Sequence, residues 1–139
     1  MILYVDTSSL AKLYLLEDGS AEMRASALAA EQVTSSRIAH VETRVALARA
    51  LRDRRIDEQA LRDARRKFEV EWASLAALEV SDAILQQAGD LGDRHPIRAL
   101  DAIHLASAEQ VRALNQREVR FSTADRRLRD AAVAEGFSV

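Results

Sequence analysis

The chain has 139 residues, 48% hydrophobic and only 4% aromatic, so it is sized for one domain over residues 1–139 with a core of Ala, Leu, Val and Ile. It has no cysteine, which excludes disulfides, thiolate metal sites and cysteine nucleophiles, and its three histidines (His40, His95, His104) lack zinc-type spacing. A net charge of −2 gives no overall basic field to announce nucleic acid, and Asp6 breaks the only early apolar run, so the expectation is a soluble, cytoplasmic protein without a signal peptide or membrane span.

The N-terminal run Ile2-Leu3-Tyr4-Val5 is apolar on consecutive residues, as a strand covered on both faces must be. Asp6 follows it, and Thr7-Ser8-Ser9 opens a helix. Helices are expected over residues 9–16 and 21–30, interrupted by Asp18-Gly19-Ser20. A short strand over 32–35 leads to a helix over 37–53, with Ser36 as its N-cap. Asp57 caps the next helix, which reaches about residue 76 and carries Phe68 and Trp72 four apart on one face. A strand over 77–80 and a cap at Ser81 precede a helix that stops near Gly92. Pro96 leads into a helix over 99–114, residues 119–122 form a strand, and a helix over 124–135 ends at Gly136. Residues 137–139 would add a short edge strand. Short apolar runs alternating with longer periodic ones give an α/β fold: about five short, mostly parallel strands flanked by helices.

In such a fold the carboxyl ends of the strands and the adjacent helix starts share one edge, where ligands bind. Three acids fall there: Asp6 after the first strand, Asp101 in the first turn of its helix, and Asp125 after the strand over 119–122. Each can also serve as a cap or a dipole partner. Asp101 shares its helix face with Leu105 and Ala108, so its carboxylate points toward the core edge, where it needs a cation or a donor. Glu42, between Ile38 and Val45, sits on the flank of an apolar stripe. Ser8 and Thr123, each two residues from an acid, have hydroxyls suited to a metal-bound water or to local hydrogen bonds. His104 lies among Ile103, Leu105 and Ala108, a setting for a packed, hydrogen-bonded ring rather than a general base. Glu69 and Glu71 read as solvated partners of the arginines on their own helix, and Phe68 and Trp72 as core or interface anchors. Converging acids would hold a hard divalent cation and serve phosphoryl transfer or phosphodiester hydrolysis.

Other chemistries lack their motifs. There is no glycine-rich phosphate loop and no G-x-S-x-G elbow. An aspartyl-nucleophile phosphatase would want an acid where Ser8 stands. Only Lys12 and Lys67 among the 20 basic residues are lysine; arginine's planar fork suits phosphate, and GC-rich coding also favours it.

Four segments in order resemble PIN-domain ribonucleases, and most closely the VapC toxins of type II toxin–antitoxin pairs. They are Asp6-Thr7-Ser8-Ser9-Leu10-Ala11-Lys12-Leu13-Tyr14, Glu42 on its helix, Leu100-Asp101-Ala102-Ile103-His104-Leu105-Ala106, and Phe121-Ser122-Thr123-Ala124-Asp125-Arg126-Arg127-Leu128. The resemblance implies a PIN-like domain with Asp6, Glu42, Asp101 and Asp125 as its four catalytic acids, and Thr123 as the hydroxyl residue before the fourth. Glu42 is matched by position alone, without a distinctive motif around it.

An all-oxygen acid set favours Mg²⁺ or Mn²⁺ over zinc. Asp6 and Asp101 would be the primary metal ligands, Asp125 would complete the site or help hold a second ion, and Glu42 would orient water. The resemblance also implies RNA as substrate, a homodimer, and a VapB-like antitoxin, for which the early helices and the Phe68/Trp72 helix offer surfaces. Rival readings are a metal-dependent phosphatase or DNA nuclease, and a non-catalytic RNA- or partner-binding module.

Overall fold

Strand β1 (Ile2–Val5) is buried along its whole length and is the axis of the molecule. In the computed structural model, which describes all of residues 1–139, β1 pairs in parallel with β2 (Gln32–Ser36) on one side and β4 (Val119–Ser122) on the other. β3 (Ala76–Leu78) joins β2, giving a four-stranded parallel sheet in the order β3-β2-β1-β4. The helices are α1 (Thr7–Ala11), α2 (Ser20–Ala29), α3 (Ile38–Arg52), α4 (Glu58–Trp72), α5 (Asp82–Arg94), α6 (Ala99–Leu114) and α7 (Arg126–Ala134). This is the expected α/β arrangement of a parallel sheet flanked by helices. Residues 137–139 contribute a single bridge, with the Phe121 N–H donating to the Ser138 carbonyl at 2.9 Å.

The pleat of β1 divides the core. Ile2 and Tyr4 face a cluster that includes Leu91, Leu105, Phe121 and Leu128, from α5, α6, β4 and α7. Leu3 and Val5 face the opposite cluster, with Leu10, Met23, Ala39, Phe68 and Trp72. Alanines replace aromatics as the close-packing device: Ala102, Ala106 and Ala108 of α6 are all buried.

Local signals set most boundaries. Asp57 accepts from the Ala60 N–H at 2.7 Å, and Ser81 from the Ile84 N–H at 3.2 Å, so both cap their helices. Gly136, at φ +85°, ends α7 in the left-handed region, as a C-terminal glycine does.

Elsewhere tertiary structure overrides local chemistry. Ser36 is not the cap of α3; the sheet takes it as the last residue of β2, fully buried, with Arg37 at the cap and no side-chain cap bond. Residues 73–75 turn after Trp72, so α4 ends earlier and β3 begins earlier than their apolar patterns imply. Gly92 does not stop α5, which continues to Arg94. Glu69 pairs across to α3, with Arg44 at 2.6 Å and His40 at 3.0 Å, rather than with arginines of its own helix. Phe68 and Trp72 are buried and packed on His40, which removes them as a partner-facing surface.

Phe68 is 0% exposed while Val70, on the same helix, is 69% exposed. Phe68→Ala should therefore lower the unfolding free energy by about 3–5 kcal/mol in urea titrations. Val70→Ala should change it by less than about 0.5 kcal/mol. Similar losses from both would contradict this placement of α4.

Candidate active site

Parallel register brings the site together. Val5 lies opposite Ser122, so the residues that follow, Asp6 and Thr123, emerge side by side at the carboxyl edge of the sheet. Asp6 is 3% exposed. Its Oδ1 accepts the Ser9 N–H at 2.9 Å, capping α1, and its Oδ2 accepts the Thr123 hydroxyl at 2.6 Å. The single Ser8 hydroxyl hydrogen is shared between the two oxygens, at 2.8 and 2.9 Å, and the Ser8 oxygen accepts the Ala124 N–H at 2.8 Å. The hydroxyls of Ser8 and Thr123 thus hold the first acid in place and tie it to the β4–α7 turn.

Asp125 begins α7, with Oδ1 accepting the Leu128 N–H at 2.9 Å and its own N–H donating to Thr123 Oγ1 at 3.0 Å. Asp101 comes from α6, half-buried on the face shared with the fully buried Leu105 and Ala108. Glu42 comes from α3. The Ile38–Val45 stripe does not explain its place, because Val45 is exposed and the packed face of α3 is Ala39, Thr43, Leu47 and Ala50. Glu42 is oriented instead by hydrogen bonds to its Oε1, from the Thr7 hydroxyl at 2.8 Å and from His104 Nε2 at 2.9 Å. Asp6, Glu42, Asp101 and Asp125 all line one open cavity of about 450 Å³, together with Ser8. Arg49, Arg55 and Arg98 line the same cavity. Arg55 is paired with Glu17 at 2.9 Å.

Sequence reasoning missed Thr7 and the link from His104 to Glu42. His104 is packed, as its neighbours imply, but its partner is an acid 62 residues away. Thr7 carries a weak signal of its own, a hydroxyl directly after the first strand-end acid.

The acids strain one another. Burial pushes the Asp6 carboxyl above its usual range, against the hydrogen bonds from Thr123, the Ser9 N–H and Ser8 and the field of His104. Asp101 is also raised, first by burial and then by the negative charges of Asp125 and Asp6, with Arg98 opposing. Burial pushes Glu42 up too, but the bonds from His104 and Thr7 and the field of the imidazole outweigh it, and its carboxyl lies below the usual range. Glu42 is held ionised while Asp6 and Asp101 resist ionisation.

The donor set fits a hard divalent cation: carboxylate oxygens without thiolate, repelling one another across a shared cavity. No three of the chain's acids and histidines stand close enough to form a ready-made cage. A cation held here would complete its shell with water, as Mg²⁺ does in most of its protein sites.

Residues 3–134 match the PIN domain family. The chain belongs to that family. It is 37% identical over 138 residues to Ribonuclease VapC45 and to Ribonuclease VapC49 of Mycobacterium tuberculosis, covering 99% of this chain and 94% of each relative. Ribonuclease VapC46 of the same organism is 35% identical over 137 residues, covering 99% and 95%. Among solved structures, FitAcB from Neisseria gonorrhoeae aligns with TM-score 0.71 at 19% identity, covering 100% of this chain and 96% of that one. Mycobacterium tuberculosis VapC20, a sarcin–ricin-loop-cleaving toxin, aligns with TM-score 0.67, also at 19% identity, covering 97% and 95%. At that identity the two structures establish the shared PIN fold.

The raised Asp101 sets a direction for stability. A carboxyl whose folded pKa exceeds its unfolded value favours the fold while protonated, and that contribution is lost as pH rises through the folded value. In chelator at neutral pH, Asp101→Asn should therefore melt no lower than the wild type, and its advantage should vanish below the ordinary carboxylate range. A clear drop in melting temperature at neutral pH would contradict the mutual repulsion of the acids.

Proposed function

We propose that this PIN-domain protein is a Mg²⁺- or Mn²⁺-dependent endoribonuclease, the toxin of a type II toxin–antitoxin pair. The observation that carries the reading is the meeting of Asp6, Glu42, Asp101 and Asp125 in one cavity, in a chain aligned almost end to end with proteins named ribonucleases. The arginines around the acids favour a polyanionic substrate despite the net charge of −2, since Arg49 and Arg98 give guanidinium forks for phosphates beside the reacting group.

Asp6 and Asp101 would hold the cation, with Asp125 completing the set from the opposite helix start. When bound, the cation lowers the pKa of a coordinated water and offsets charge on the phosphate. Ser8 and Thr123 fix the Asp6 carboxylate, so that it need not reorganise as substrate arrives. Glu42, ionised and anchored through Oε1, accepts a hydrogen of the attacking water. The water oxygen bonds to phosphorus, the phosphorus bond to the leaving oxygen breaks, and that oxygen takes a proton from solvent to leave as the alcohol.

The same reading includes a cytoplasmic protein, a homodimer and a VapB-like antitoxin as physiological partner. No helix is long and apolar enough to cross a membrane.

Asp6→Asn and Asp101→Asn should each lower RNA cleavage by at least about 10²-fold while leaving the fold intact, the scale of a lost metal ligand. Activity removed by chelator should return with Mg²⁺ or Mn²⁺ and not with Ca²⁺, whose larger and looser shell suits this chemistry poorly. Cleavage by either purified, folded variant at near-wild-type rate, or full activity in excess chelator, would refute the reading. Cleavage of DNA or phosphomonoesters in place of RNA would move the chain to a different metal-dependent hydrolase class.

A further inference from the structure

His104 is the most thoroughly buried ionisable side chain bonded to a candidate catalytic acid, 1% exposed, yet neither composition nor family membership gives it a task. Its ring is held at both nitrogens. Nδ1 lies 3.1 Å from the hydroxyl of Tyr4, which is 0% exposed on the central strand, and Nε2 lies 2.9 Å from Glu42 Oε1. A carboxylate oxygen only accepts, so Nε2 carries a hydrogen and donates it to Glu42; in the neutral ring Nδ1 then accepts from Tyr4. The Thr7 hydroxyl donates to the same Glu42 oxygen at 2.8 Å and lies 3.3 Å from Nε2.

Two features go beyond packing. Both donors converge on Oε1, and Oε2 has no hydrogen-bond partner within the protein, so one carboxylate oxygen is clamped and the other is left for the cavity. The chain of contacts also runs from β1 through α6 to α3, linking the strand that leads into Asp6 and the helix that carries Asp101 to Glu42, which comes from a third element. A long glutamate side chain bordering an open cavity would otherwise sample several rotamers.

We propose that His104, anchored by Tyr4, is a positioning residue for the hydrolysis: it clamps Glu42 Oε1 so that Oε2 faces the attacking water. This rests on the ribonuclease reading above. His104 acts through Glu42 and touches neither substrate nor cation.

The test compares steady-state RNA cleavage by full-length variants, scaled to folded fraction. His104→Leu removes the donor and should lower kcat about 10–100-fold, the usual effect of losing an outer-shell partner, with KM changed by no more than about threefold. His104→Gln keeps an N–H donor of similar reach and should restore kcat to within about fivefold of wild type, a loss on the scale of a displaced hydrogen bond. In a Glu42→Gln background His104→Leu should cause no further loss of kcat, since residues acting through one another are not additive. Tyr4→Phe deletes a single hydroxyl and serves if His104→Leu does not fold: a several-fold lower kcat that disappears in the Glu42→Gln background is expected. Unchanged kcat in the folded His104→Leu or Tyr4→Phe variant, or an equal loss with and without Glu42, overturns the positioning role while leaving the ribonuclease reading standing. A wild-type protein that cuts no RNA overturns both.

Discussion

A carboxylate buried at the end of the central strand is the constraint around which the rest of the molecule is arranged. Asp6 cannot leave, because β1 is packed on both faces and fixed between two parallel neighbours. Nor can it stay without donors, since an ionised group deprived of water costs far more than a neutral one. The register of β1 on β4 answers this by placing Thr123 against it, and the chain leaving β1 brings Ser8 and the Ser9 N–H to the same carboxyl. Three donors, two of them set by nothing more than a strand end and a helix start, offset part of the cost of burial, which still raises the carboxyl above its usual range.

What remains uncompensated is the repulsion among the acids. Asp101 is pressed against the core edge by its helix and feels both Asp125 and Asp6. Glu42 is the exception, stabilised in its ionised form by His104 and Thr7. A fold that wanted only stability would have used asparagine at these positions; keeping the charges stores unfavourable electrostatics that a divalent cation would relieve. The division of labour follows from the donors: two strained acids suited to a cation, and one relaxed, oriented acid suited to water.

The sequence showed best what depends on few neighbours. Consecutive apolar residues marked β1, and the caps at Asp57 and Ser81 act through atoms three residues away. The strand-end acids were legible for the same reason, since a parallel α/β sheet forces its strand ends to one edge. Ser36 misled because its hydroxyl looks like a cap locally, whereas its place in β2 is decided by pairing with β3. Glu42 was placed on the right helix for the wrong reason: the isoleucine and valine near it are not the buried stripe, and the true packed face joins Leu47 to two alanines and a threonine that carry little hydrophobic signal. The partner of His104 was invisible because it lies 62 residues away, on a helix brought near only by the completed sheet.

Catalysis at this sheet edge requires that Asp6 and Asp101 share one cation. The direct measurement is an anomalous difference map from crystals of the protein equilibrated with Mn²⁺. A strong peak is predicted at direct-ligand distance, roughly 2–2.3 Å, from carboxylate oxygens of both Asp6 and Asp101. A peak bound elsewhere, or none at Mn²⁺ concentrations that support cleavage, would contradict it.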